Sequence, residues 1–292
     1  MAAVATVFGA EEQMNSAAHA GGIKGIPIPP RPLVVQQMQE EMAWPEPDMR
    51  RIAQIVGQDV GLTVAVLKTV NSPMYGLSRK AESVEQAVNL IGLKQLENLV
   101  TALAMRNLLK GDSNFLGRFY DTSARRAQAM AHMAKATGVV DVALAQTFGL
   151  FCDVGIPLLM QRFPTYTQTL RVANADSERS FTAVEHEAHN TDHALIGALM
   201  VRTWGLSKHV ALAIRMHHDY HVFLDPQAPL EVVRLISLNI VAEEAIQRYA
   251  QMHSNVEWLK GGDYVPSTLS MDPDEVQEWI VQLTDTFALG IE

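Results

Sequence analysis

The 292 residues are 48% hydrophobic and 19% charged, enough apolar material for a large core and at the upper end of what one core fills, so two packed units are expected. Thirty-two Asp and Glu against 23 Lys and Arg give a net charge of −9 without a dense basic tract, which disfavours direct nucleic-acid binding. The lone cysteine, Cys152, excludes an intramolecular disulfide and an all-cysteine zinc site, and no run approaches the ~18 apolar residues of a membrane span.

The first 22 residues are small and polar, carry Glu11 and Glu12 where a secretory signal is basic, and read as the flexible leader of a cytoplasmic protein. IPIPPRP then puts four prolines into seven positions and predicts an extended entry. Helices follow almost without interruption. Asp48 caps a segment with Met49, Ile52, Ile55 and Val56 on one face, and DVGLTVAVLKTV carries a broad apolar stripe. NSPMYG, 71–76, stops the run, since Pro73 restricts Ser72 and Gly76 permits a reversal. Ser83 with Gln86 forms a capping box before VEQAVNLI, and beyond Gly92 Leu93, Leu96, Leu99, Val100 and Leu103 recur at helical spacing towards Gly111. Residues 23–111 are therefore expected to form one helical unit.

GDSNFLG reads as a joint, with a second unit starting near Phe119. It is expected to hold a long helix over 122–137, another over 145–162 carrying Cys152-Asp153, and a capping box of Thr182 with Glu185. Further helices end at Gly205, start from Ser207, follow Pro229 and begin at Asp272-Pro273 with Glu275 completing the cap. Neither alternating strands nor repeats occur, so the fold class is all-α: 112–222 forms a second bundle and 223–292 completes it.

Six histidines, His186, His189, His193, His217, His218 and His221, fall within 36 residues. Asp153 on an apolar helix demands a partner, and His193, after Asp192 at a helix start, and His217-His218 at a helix end are the candidates to face it. His186 and His189 share a polar helix with Glu185 and Glu187 and are expected to be solvated. His217 and His221 have the i, i+4 spacing with which a helix offers two imidazoles to zinc, without the glutamate base of zincin motifs. Cys152, among Phe148, Phe151 and Ile156, reads as a small buried hydrophobe; a redox-sensing thiol needs exposure and a depressed pKa. Gly-rich phosphate loops and a GxSxG elbow are lacking.

Four stretches, KTVNSPMYG, SVEQAVNLIGLKQLENLVTALAMR, FGLFCDVG and DHALIGALMVRTWGLSKHVALAIRMHHD, resemble in order and spacing the HDOD domain over residues 25–222. HDOD domains are regulatory relatives of the HD and HD-GYP phosphohydrolases. In HD enzymes the metal is held by a histidine at the place of Thr122, a His-Asp dyad at Cys152-Asp153 and a late aspartate near Asn239, so the resemblance implies that three of four ligands are altered. It thus implies no catalysis, no metal and no cofactor. The implied role is in signal transduction, with a signalling or regulatory protein partner or a small ligand such as a nucleotide. The expected place for it is a cleft between the two bundles near Asp153, Asp192, His193, His217 and His218. Two alternatives stand beside this reading: a metal-dependent phosphohydrolase using those same five residues, and a purely scaffolding protein.

Overall fold

The computed structural model describes residues 6–19, 23, 25–72, 75, 77–251 and 255–289; Pro73 and Gly76 of the expected stop signal lie outside them. The chain is all-α, with no strand among the described residues. It divides into two compact units, Pro30–Leu109 and a larger one made of Met1–Pro29 with Lys110–Ala288.

Pro30–Leu109 holds α2 (Leu33–Met42), α3 (Met49–Gly57), α4 (Val60–Val70), α5 (Val84–Ile91) and α6 (Leu93–Leu108). Its helices start where the caps are. Asp48 accepts from the amides of Arg50 and Arg51, Asp59 from Leu62, and Ser83 from Gln86, whose side chain returns to the Glu82 amide. Between α4 and α5 the Asn71 amide pairs with both backbone groups of Ala81, at 2.8 and 2.7 Å, and closes the connection. The core is aliphatic, built on Met38, Ile52, Val56, Val66, Leu96 and Val100.

The larger unit starts with α1 (Val7–His19) and continues with α7 (Ser113–Thr137), α8 (Val142–Phe151), α9 (Gly155–Arg162), α10 (Tyr166–Ala175), α11 (Phe181–His189), α12 (His193–Thr203) and α13 (Lys208–Met216). After a 3-10 turn, Tyr220–Leu224, come α14 (Leu230–Tyr249), α15 (Val256–Gly261), α16 (Val265–Leu269) and α17 (Pro273–Ala288). α14 is central, packing on α7, α13 and α17, and it buries Val232, Leu235, Ile236, Leu238 and Val241 on several faces. α7 and α8 touch through Gly149, where a Cβ would come within 2.5 Å of the Ala127 Cα.

Four expectations are corrected. Within the supposed leader, residues 7–19 form α1, which packs on α12 and α13; it buries Val7, Ala10, Met14 and Ala17, and Gln13 accepts from Arg215 at 2.5 Å. Small apolar residues at helical spacing, not loop composition, decide that segment. The units do part at the joint before GDSNFLG, between Leu109 and Lys110, but the stretch itself opens α7, capped by Asp112, instead of forming a linker. The helix expected over 145–162 is two helices parted by a turn at 152–154, because Pro157 has no N–H to return to the Asp153 carbonyl. Finally, Val142–Arg162 does have the length and mean hydropathy, 1.6, of a membrane span, although 61% of it is buried inside the protein, as befits core helices.

Candidate active-site cluster

The turn at 152–154 puts Asp153 at the start of α9, and Gly155 lets that turn lie directly on α12: a Cβ there would be 2.1 Å from the His193 carbonyl oxygen. Asp192 caps α12 by accepting from the Leu195 amide at 2.8 Å, which fixes where His193 begins its helix. His217 follows the last turn of α13. Three separate local signals thus converge on one spot.

Asp153 Oδ1 lies 3.6 Å from His193 Nε2 and 3.5 Å from His217 Nε2, and its Oδ2 accepts from Arg126 of α7 at 2.5 Å. The Arg126 Nε also donates to Glu243 of α14 at 2.5 Å, so one guanidinium joins two carboxylates. Behind the cluster every histidine Nδ1 meets an oxygen acceptor. His193 Nδ1 lies 2.7 Å from Glu185 Oε2, His217 Nδ1 2.6 Å from the Ile214 carbonyl, and His218 Nδ1 2.5 Å from Glu257 Oε2. A carbonyl only accepts, so neutral His217 carries its proton on Nδ1 and presents a bare Nε2. That nitrogen is 3.3 Å from His193 Nε2, which is the donor of the pair. Glu185 also accepts from the Tyr166 hydroxyl, and Glu257 from Tyr220 at 2.7 Å.

These contacts set the charges. Burial disfavours an imidazolium at His193, but Glu185 and then Asp153 outweigh it and raise its pKa to about 9. His217 goes the other way: burial and the neighbouring His218 lower it to about 4, against the pull of Asp153. Burial opposes the Asp153 carboxylate, yet the Arg126 guanidinium and the charge on His193 hold it well below the usual carboxylate range. Glu243 ends higher than usual, because burial is only partly offset by Arg126. The Cys152 thiol is pushed up by burial and then by Asp153, so it is neither exposed nor activated.

The cluster lies on a cavity of about 420 Å³ whose lining includes Thr122, Arg126, Asp153, His217, His218, Asn239 and Glu243. All of its lining residues belong to the larger unit, so the expected cleft between two bundles is corrected to a cavity within one of them. Of the five residues expected there, Asp153, His193, His217 and His218 do converge, with one ligand atom of each within 4.8 Å of the others. Asp192 does not: its carboxylate is spent as a helix cap and lies 3.8 Å from Arg215. Of the four positions carried over from HD enzymes, Thr122 and Asn239 line the cavity with Asp153, whereas Cys152 is 1% exposed and packed in the core. The i, i+4 pair His217 and His221 fails because α13 stops at Met216; His221 is exposed and turns to Asp219. His189 is half-buried instead of solvated, stacked at 4.4 Å on Phe163 and bonded to Thr169. Glu185 is fully buried, and Ser180, not Thr182, caps α11.

Arg126, Glu185, Glu243 and Glu257 are the site residues that sequence reasoning missed. A signal existed for two of them. Arg126 is i+4 from Thr122 on α7 and Glu243 is i+4 from Asn239 on α14, so each shares a helix face with an altered family position one turn earlier.

The family profile of the HDOD domain matches residues 28–220, most of the chain. The chain belongs to the HDOD family. An uncharacterized protein of Treponema pallidum (strain Nichols) is 27% identical over 223 residues, covering 75% of the present chain and 42% of its own length. The HDOD chain thus spans less than half of that curated relative. A solved structure from Marinobacter aquaeolei VT8, named for signal transduction, aligns with TM-score 0.71 at 20% identity over 98% of this chain and 65% of that one. Another from Shewanella amazonensis SB2B, named for phosphohydrolase activity, aligns with TM-score 0.68 at 18% identity over 96% of both chains. The two names differ while the HDOD fold is shared, so function has to be argued from the site.

Proposed function

We propose that this HDOD protein acts in signal transduction without hydrolysing phosphate esters, by binding a small ligand in the cavity beside Asp153 and passing its state to a partner protein. The observation that carries the reading is Arg126. Hydrolysis in HD enzymes needs a divalent ion held by imidazoles and carboxylates and used to activate water and clamp a phosphoryl group. Here Thr122, Cys152 and Asn239 stand at three of the ligand positions, and the remaining carboxylate is paired with a protein cation. The ion pair lies one turn further along both α7 and α14, joining Asp153 and Glu243 through a guanidinium that cannot deprotonate.

A second reading rests on its own observation. His193, His217 and His218 each have Nδ1 held by an oxygen, His193 and His217 turn Nε2 towards Asp153, and one ligand atom of each of the four lies within 4.8 Å of the others, the outer-shell pattern with which proteins orient imidazoles towards a metal. These four residues fit one divalent ion such as zinc, manganese or iron, with His193 giving up its second proton on binding. The ion would supply a Lewis acid and a more acidic water there, the chemistry of a phosphohydrolase. Metal analysis of the purified protein, followed by phosphodiesterase assays with added manganese, iron or zinc, separates the two. Stoichiometric metal with turnover that vanishes in Asp153→Ala would sink the non-hydrolytic reading; metal without turnover leaves it standing.

A further inference from the structure

Buried polar atoms in folded proteins nearly always have a hydrogen-bond partner, so those without one are informative. Among the described residues such orphans include Arg126 Nη1, Asn239 Oδ1, Gln247 Oε1 and Asn255 Nδ2, and all four of these side chains line the same cavity. Asn239 and Gln247 are amides that can present a donor or an acceptor by flipping, whereas Asn255, whose Oδ1 accepts from the Glu257 and Trp258 amides as the cap of α15, offers only its Nδ2 donors. Asn239 and Thr122, moreover, are the two altered ligand positions of the HD resemblance that reach the cavity, and here both are uncharged hydrogen-bonding groups.

The charges lining the cavity are already matched from within the protein. Arg126 is paired with Asp153 and Glu243, and Glu257 with His218 and Lys260. The lining cation that makes no ion pair among the described residues is Arg118, and it is exposed. A polyanion would therefore meet Asp153 and Glu243, which already share the Arg126 guanidinium, with the exposed Arg118 as the one unpaired lining cation among the described residues. Aromatic side chains also line the cavity, among them Phe115 and Phe119, stacked at 6.4 Å, with Trp258 and Phe181. The volume, about 420 Å³, sits towards the small end of the ~300–1,000 Å³ range of small-molecule sites.

We infer that the cavity takes an uncharged nucleobase, free or as its nucleoside, read on its edge by the Asn239, Gln247 and Asn255 amides and stacked against the aromatic side. Amides paired with ring edges and aromatic side chains on ring faces are how proteins hold single bases. The inference rests on the ligand-binding reading above and narrows it, because it places recognition in the base and not in a phosphate.

Calorimetric titration of the full chain with adenosine, guanosine, inosine, cytidine and uridine, their 5′-monophosphates and inorganic phosphate provides the test. At least one nucleoside is expected to bind saturably, with its monophosphate no more than about threefold tighter and phosphate silent. Asn239→Leu is expected to weaken that nucleoside at least about tenfold without lowering the melting temperature, since it removes an orphaned amide, and Arg118→Ala to leave it unchanged. Gln247→Leu serves as the second variant should Asn239→Leu fold poorly. Silence from all five nucleosides, or a monophosphate or phosphate binding much tighter than any nucleoside, overturns the inference while sparing the non-hydrolytic reading. A monophosphate that binds and is hydrolysed in the presence of manganese overturns both.

Discussion

The two units bury different things. Among the described residues, Pro30–Leu109 buries only uncharged polar side chains, Asn98 and Thr101, beneath an aliphatic core. The larger unit buries Glu185 and His193 completely and Arg126 and His217 to within 3% and 2% exposure. An apolar core responds to lost volume in graded steps, whereas a polar cluster fails when one partner leaves and the others remain buried unpaired. One unit is therefore built to hold a shape, the other to hold a set of charges.

A large effect should come from breaking the charge set. Arg126→Met leaves the half-buried Asp153 and Glu243 without their shared cation and is expected to cost about 3 kcal/mol in urea unfolding. A triple variant that adds Asp153→Asn and Glu243→Gln should recover most of the loss, because the stranded charges go with it. A single-variant loss below about 1 kcal/mol would mean that the cluster is solvated and the contrast between the units is smaller than drawn. In the apolar unit Leu96→Ala should cost about 2–5 kcal/mol through the cavity it leaves, yet Leu96→Met less than about 1.5 kcal/mol, the graded response that the polar cluster lacks.

The same contrast decides what the sequence made legible. Helices of the apolar unit follow from periodicity and caps, and Asp48, Ser83 and the Leu96 stripe are where those signals put them. In the larger unit Asp272 and Glu275 exchange hydrogen bonds at 2.8 Å as their spacing predicts, and Asp153, His193, His217 and His218 meet as their residue types suggest. Their partners were hidden because a charged residue on a helix ordinarily signals a solvated face. Glu185, beside the exposed His186 and Glu187, has nothing local to mark it as buried; only the tertiary approach of Tyr166 and His193 does so. The break at 152–154 was readable from Pro157, but the apolar run around it masked that signal.

Smaller, and more specific to the polar cluster, is its pH response. His193, raised to about 9, contributes stability that is fully present below its unfolded pKa of about 6.5 and is lost as pH rises through 9. His217, lowered to about 4, is buried neutral, so its share is present above about 6.5 and is lost as pH falls towards 4. From these two groups stability should peak near pH 6.5 and decline on both sides by roughly 1 kcal/mol per pH unit, read as urea midpoints across that range. Glu185→Gln takes away the charge that holds the His193 proton, and the alkaline limb should flatten while the acid limb stays. An unchanged alkaline limb would show that His193 does not carry its second proton in the folded protein.

The smallest effect concerns the histidine that spacing alone picked out. His221 is four residues from His217, but spacing makes a shared face only while the helix continues, and α13 ends at Met216. In the 3-10 turn that follows, the His221 side chain is 68% exposed and lies 3.2 Å from Asp219, so it touches none of the convergent imidazoles. His221→Ala should accordingly shift stability by less than about 0.5 kcal/mol, within the range of ordinary surface changes, and leave any zinc uptake unaltered. His217→Ala, by contrast, strips a buried ring from between Asp153, His193 and Phe148 and should be felt in both measurements. Equal loss of zinc uptake from the two variants would place His221 in the cluster and extend α13 by a turn, drawing the polar site closer to the surface and weakening the distinction between a charge set held inside and a shape held by aliphatic packing.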